Sequence, residues 1–127
     1  MIYELRTYTV RPGTIGDMVK AASTVSKDIR GNNFGKLEGY WFSEIGALNQ
    51  VLHMWSYSDF NERTRLRGEL AKNQRWTGEY IPLLRPLLVR QEVHEAIKGL
   101  LLRLLTVGSL LLAVIRIELP LLLSGQP

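Results

Sequence analysis

Gln50-Val51-Leu52-His53-Met54-Trp55-Ser56-Tyr57 is the stretch on which the fold turns. As an extended run it places His53, Trp55 and Tyr57 on one face and Leu52, Met54 and Ser56 on the other. A second extended run, about Phe34 to Ser43, comes just before it, and only Glu44-Ile45-Gly46-Ala47-Leu48-Asn49 separates the two. A connection that short joins antiparallel neighbours, so the pair reads as a hairpin with Asn49 and Gln50 serving the turn.

Working outward, Ile2 to Val10 reads as a strand with Tyr3, Leu5, Thr7 and Thr9 on one face and Ile2, Glu4, Arg6, Tyr8 and Val10 on the other. Both faces are partly apolar, which predicts a sheet covered on two sides. Pro12-Gly13 ends the strand, and Thr14 followed by Asp17 is read as a helix cap. Ile15, Met18, Val19, Ala22, Val25 and Ile29 then recur at helical spacing up to a stop at Gly31-Asn32-Asn33. Beyond the hairpin, Ser58 or Asp59 caps a second helix reaching about Asn73, with Phe60, Leu66 and Leu70 turned inward. A shorter helical turn through Trp76 and Tyr80 follows. Pro82 and Pro86 are expected to end helix formation before a fourth strand, Leu87 to Val93.

Strand, helix, strand, strand, helix, strand is the ferredoxin-like βαββαβ order, an α+β fold with one antiparallel sheet and both helices on one face. The face without helices is expected to carry Trp55, Tyr57 and Tyr40 or Trp41, and a second copy is its simplest cover, so a homodimer is expected. Leu5 beside Leu52 and Met54 would then form the side that packs on the helices, leaving the polar and aromatic groups for a cavity.

Composition sets the bounds. The chain has 127 residues, 46% hydrophobic and 22% charged, enough for one core and close to ordinary globular usage. There is no cysteine, which removes disulfides, thiolate metal sites and cysteine nucleophiles and is compatible with a cytoplasmic address. The first residues lack the basic-then-apolar layout of a signal peptide. A formal charge of +4 and a pI near 9.6 raise nucleic acid as a partner. Against it, Arg63, Arg65 and Arg67 are flanked by Glu62 and Glu69, a mixed-sign pattern that reads as a solvated helix face. No nucleic-acid partner is expected.

Several segments resemble the NIPSNAP family: Tyr3-Glu4-Leu5-Arg6-Thr7-Tyr8 with Pro12-Gly13, Gly35-Lys36-Leu37-Glu38-Gly39-Tyr40, and Ser43-Glu44-Ile45-Gly46. Further on, Leu48-Asn49-Gln50-Val51, His53-Met54-Trp55-Ser56-Tyr57 and Arg85-Pro86-Leu87-Leu88-Val89-Arg90-Gln91-Glu92 extend the resemblance over about residues 2–92. It implies the dimeric α+β barrel form of the fold. It implies little about chemistry, because eukaryotic relatives are linked to mitochondria and vesicle handling and small single-domain members mostly have no assigned activity. More distant dimeric barrels include cofactor-free monooxygenases, isomerases and haem-degrading proteins, so the fold does not select a reaction.

The resemblance stops near Val93. Residues 1–95 are taken as the domain and residues 96–127 as a leucine-rich C-terminal extension. Its apolar run from Leu104 to Ile115, bracketed by Arg103 and Arg116, is shorter than the roughly 20 residues that span a bilayer. A surface helix on the dimer or a frame-change tail are the stronger readings, and membrane contact through the tail the weaker one.

No phosphate loop, His-Glu-x-x-His or Gly-x-Ser-x-Gly spacing is present. No cofactor is expected, and His53 and His94 in different strands, without a third ligand, predict no metal site. The candidate pocket consists of Glu4, Arg6, Tyr40, His53, Trp55 and Tyr57. His53 is either a general base or an imidazole hydrogen-bonded within the sheet. Trp55 and Tyr57 line a cavity or fill the core, and Glu4 with Arg6, two apart on one strand face, forms a structural ion pair or binds a polar group. The leading functional expectation is a homodimer that binds a small hydrophobic molecule. The alternatives are a cofactor-free monooxygenase or isomerase, and an interaction or membrane-docking module.

Overall fold

The structure, a computed structural model, describes residues 1–97 and 115–117. Five antiparallel strands, β1 (Ile2–Val10), β2 (Lys36–Ser43), β3 (Gln50–Tyr57), β4 (Leu88–Ile97) and β5 (Ile115–Ile117), lie in the order β4-β1-β3-β2-β5. The first four form the expected ferredoxin-like sheet. The three-residue β5 adds an edge strand beside β2, pairing Trp41 with Ile117 and Ser43 with Ile115. The readings of the extension as a helix, membrane span or frame-change tail fall outside the described residues.

One helical rod follows β1, made of α1 (Ile15–Ala21), a wider π turn (Ala22–Ser26) and α2 (Lys27–Arg30). Thr14 does not cap it with its side chain as expected; its hydroxyl donates to the Arg11 carbonyl at 2.7 Å instead. Gly31 ends the rod at φ +47°, a left-handed value that glycine adopts without steric cost. The second rod begins with α3 (Phe60–Lys72). There Asp59 accepts from the Glu62 backbone N–H at 2.7 Å while the Glu62 carboxylate accepts from the Ser58 N–H at 2.6 Å, a reciprocal cap. Phe60 is 56% exposed and not inward as expected, because it occupies the first position of the helix, before the buried row of Leu66 and Leu70 begins. Pro82 does not end the helix; it lies in α4 (Ile81–Leu84), which continues the expected turn through Trp76 and Tyr80, a wider π turn (Trp76–Tyr80) set off from α3 at Asn73, where ψ is 120°.

The core places Val10, Tyr8 and Val51 of the sheet against Met18, Ala21 and Ala22 of the first rod and Tyr80 and Leu84 of the second. Even-numbered β1 residues therefore face the helices, and with them Tyr40, His53, Trp55 and Tyr57, because cross-strand partners share a face. That corrects one expectation: Tyr40, Trp55 and Tyr57 lie under the helices, and of the aromatic groups expected on the other face only Trp41 is there. Leu5 and Met54 do share a face, as direct cross-strand partners, but it is the outer one. There Met54 packs with Tyr3, Leu5 and Trp41, and among the described residues no helical one joins them. The reversal follows from Val10, Val51 and Ile2, which share the helix side with the polar groups and supply it with apolar contacts.

Candidate functional site

Register builds the floor of the site. Glu4 lies beside Trp55, which pairs with Leu37, and one step along the strands Arg6 lies beside His53, which pairs with Tyr40. Between this floor and the helices is a cavity of about 130 Å³. Four of the six expected residues, Arg6, Tyr40, His53 and Trp55, line it. Glu4 and Tyr57 stand one contact behind. The Glu4 carboxylate, fully buried, accepts from Arg6 Nη1 at 2.7 Å and from Arg63 Nε at 2.6 Å. The Tyr57 hydroxyl accepts from Arg30 Nη2 at 3.1 Å, and its ring is held so close to Gly35 (φ +98°) that any Cβ there would strike it.

The site also draws in residues that sequence reasoning passed over: Tyr8 from β1, Arg30 from the first rod, and Arg67, Trp76, Tyr80 and Leu84 from the second. Arg63 and Arg67 are not part of a solvated face as expected. With Leu66 and Leu70 they make an i, i+3, i+4, i+7 set, which puts them on the inward side of α3, while Arg65 pairs with Glu69 outside. Arg30 had a similar signal. Met18, Ala22, Ser26 and Arg30 recur every four residues, and all four are buried.

His53 is 6% exposed, its ring stacked near Tyr40 at 5.5 Å and met edge-on by Tyr8 at 4.6 Å. Its Nδ1 accepts a 2.7 Å hydrogen bond from Trp55 Nε1–H, so the neutral ring carries its proton on Nε2. Burial, with Arg6, Arg30 and Arg67 nearby, pushes its pKa well below the usual histidine value. At neutral pH it is therefore a hydrogen-bond donor. Burial likewise raises the Tyr40 and Tyr80 phenols well above their ordinary values, keeping both protonated. The guanidinium of Arg30 lies 3.4 Å from the Trp55 ring centroid, a close cation–π stack. Burial, helped by Arg67 and Arg6, lowers its pKa to about 10, which leaves it charged at neutral pH. Among the described residues no group of three histidine, aspartate or glutamate side chains could hold a metal, and His94 pairs with Leu5 on the outer face, away from His53.

Comparison with known proteins bears on this arrangement. The NIPSNAP family pattern matches residues 3–98, which takes in both helical rods and, but for Ile2, strands β1 to β4. Human NipSnap homolog 3A is 30% identical over 93 residues, covering 72% of this chain; the chain spans 37% of that protein's length. A NIPSNAP family protein of unknown function from Agrobacterium tumefaciens superposes with a TM-score of 0.71 at 33% identity, covering 76% of this chain and 86% of its own. An uncharacterised NIPSNAP-like domain protein from Burkholderia xenovorans gives 0.72 at 34% identity, covering 76% and 83%. The family match runs through the strands that carry Glu4, Arg6, Tyr40, His53 and Trp55, and the chain belongs to the NIPSNAP family.

Proposed function

We propose that this protein is a homodimer that binds a small hydrophobic molecule in the cavity between its sheet and its helices. The observation that carries the reading is the cavity itself, lined by Tyr8, Tyr40, Trp55, Trp76, Tyr80 and Leu84 beside a few fixed polar groups. Aromatic walls supply apolar contact, and the neutral His53 Nε2–H supplies a directional donor. An engineered protein cavity of about 150 Å³ holds benzene, which sets the scale of the occupant at roughly one ring. The outer sheet face, with Tyr3, Leu5, Trp41 and Met54, is the seam of the dimer. A cysteine-free chain suits the reducing cytoplasm, where we place it.

The oxygenase or isomerase alternative asks for a general base. His53, with Nδ1 already bonded to Trp55 and its imidazolium disfavoured, meets that need poorly, so the geometry supports binding better than proton abstraction. As a test, benzyl alcohol titrated into the protein should change the emission of Trp55 and Trp76. Leu84→Phe, which fills the cavity, should abolish that change while leaving the fold intact by circular dichroism. No response in the wild-type protein would overturn the binding reading.

A further inference from the structure

Arg30 makes both of its hydrogen bonds from Nη2, one to the Phe34 carbonyl at 2.9 Å and one to the Tyr57 hydroxyl at 3.1 Å. Both acceptors are neutral. Its Nε–H is buried and has no partner among the described residues, and the residue as a whole is only 3% exposed. Leaving such a donor unmade costs about 1–3 kcal/mol, and more on a charged group. Trp55 covers one face of the guanidinium and Nε has no open surface, so a molecule in the cavity meets Arg30 at Nη1, whose N–H groups make no hydrogen bond among the described residues.

The surroundings agree in sign. Four cationic side chains, Arg6, Lys27, Arg30 and Arg67, line the cavity, and among the described residues no aspartate or glutamate does. Glu4, the nearest buried carboxylate, is taken by Arg6 and Arg63. Among the described residues no carboxylate pairs with Arg30. A buried guanidinium without a counter-ion is unfavourable, and an anion delivered by the ligand offsets it.

Resting on the reading that the cavity binds a small hydrophobic molecule, we propose that the occupant is a small carboxylate. Its ring or short chain lies among Tyr8, Tyr40 and Tyr80, and its carboxylate oxygen accepts from Arg30 Nη1. The volume sets its size at about six to nine non-hydrogen atoms. A single charge-assisted hydrogen bond to a buried guanidinium distinguishes this molecule from its neutral isostere.

Benzoate and benzyl alcohol, titrated against the full chain by calorimetry, make the test. Benzoate should bind about tenfold or more tightly than the alcohol. Arg30→Met should erase that preference while still binding benzyl alcohol. Arg30→Lys, which keeps the charge but lacks the guanidinium fork and with it Nη1, provides the same comparison should Arg30→Met fail to fold, and it should lose most of the preference. If benzoate binds no better than benzyl alcohol, or if both variants keep the preference, the carboxylate assignment is overturned while the cavity reading stands. If neither compound binds the wild-type protein, both fail.

Discussion

The two faces of β3 differ more than its eight residues would predict. Toward the helices it presents His53, Trp55 and Tyr57 among arginines and phenols; outward it presents Leu52, Met54 and Ser56 among Leu5, Tyr3 and Trp41. The polar face is the one under the helices. It tolerates burial because nearly every polar group on it has a fixed partner: Glu4 holds Arg6 and Arg63, Trp55 holds His53, and Tyr57 holds Arg30. Burial under a helix therefore depends on satisfaction of hydrogen bonds as well as on hydrophobicity, and Arg30, whose two acceptors are both neutral, marks the site.

The contrast breaks most sharply at Glu4. Glu4→Gln removes the carboxylate from a fully buried pair and leaves Arg6, also buried, without its counter-charge. We expect a loss of about 3–5 kcal/mol in urea unfolding. A loss below about 1 kcal/mol would mean that the inner face does not depend on this pairing.

On the outer face the largest effect is on association. Met54→Asp buries a carboxylate in the proposed seam, and light scattering should fall from a dimer's mass to the 14.5 kDa of one chain. A variant that stays dimeric would move the seam elsewhere.

Titration of His53 sharpens the comparison from a third side. Its folded pKa is depressed, so below the ordinary value of 6.5 the unfolded chain takes up a proton that the folded one refuses. Stability is thus fully present above that value and falls as the pH drops below it, by at most about 1.4 kcal/mol per pH unit. Unfolding measured between pH 7.5 and 5.5 should show this slope, and His53→Gln should flatten it.

The smallest effect belongs to the helix that brings Arg63 and Arg67 to the inner face. Asp59→Ala removes its cap and should cost about 1 kcal/mol without altering ligand preference. A matching loss of benzoate preference would show that the position of Arg67 depends on the helix start.

Much of this was legible in the sequence. The two-residue repeat places His53, Trp55 and Tyr57 together, the short connection at residues 44–49 makes the hairpin, and the element order gives the sheet. Which face the helices cover was not legible, since alternation fixes what shares a side and not which side is buried. Arg30 was hidden by its charge, although its spacing from Met18, Ala22 and Ser26 placed it inward. Arg67 was hidden by the glutamates around it, which turn out to serve a cap and a surface pair. Tyr8 and Tyr80 reach the cavity through contacts between elements distant in the chain, which no local pattern records.

The chain's three tryptophans divide between the two faces, Trp41 outside and Trp55 and Trp76 at the cavity. Fluorine NMR of 5-fluorotryptophan-labelled protein, titrated with benzyl alcohol, therefore tests the central claim directly. The account predicts that the Trp55 and Trp76 resonances shift while that of Trp41 stays in place. A shift of Trp41 with Trp55 and Trp76 unmoved would put the binding site on the outer face and contradict it.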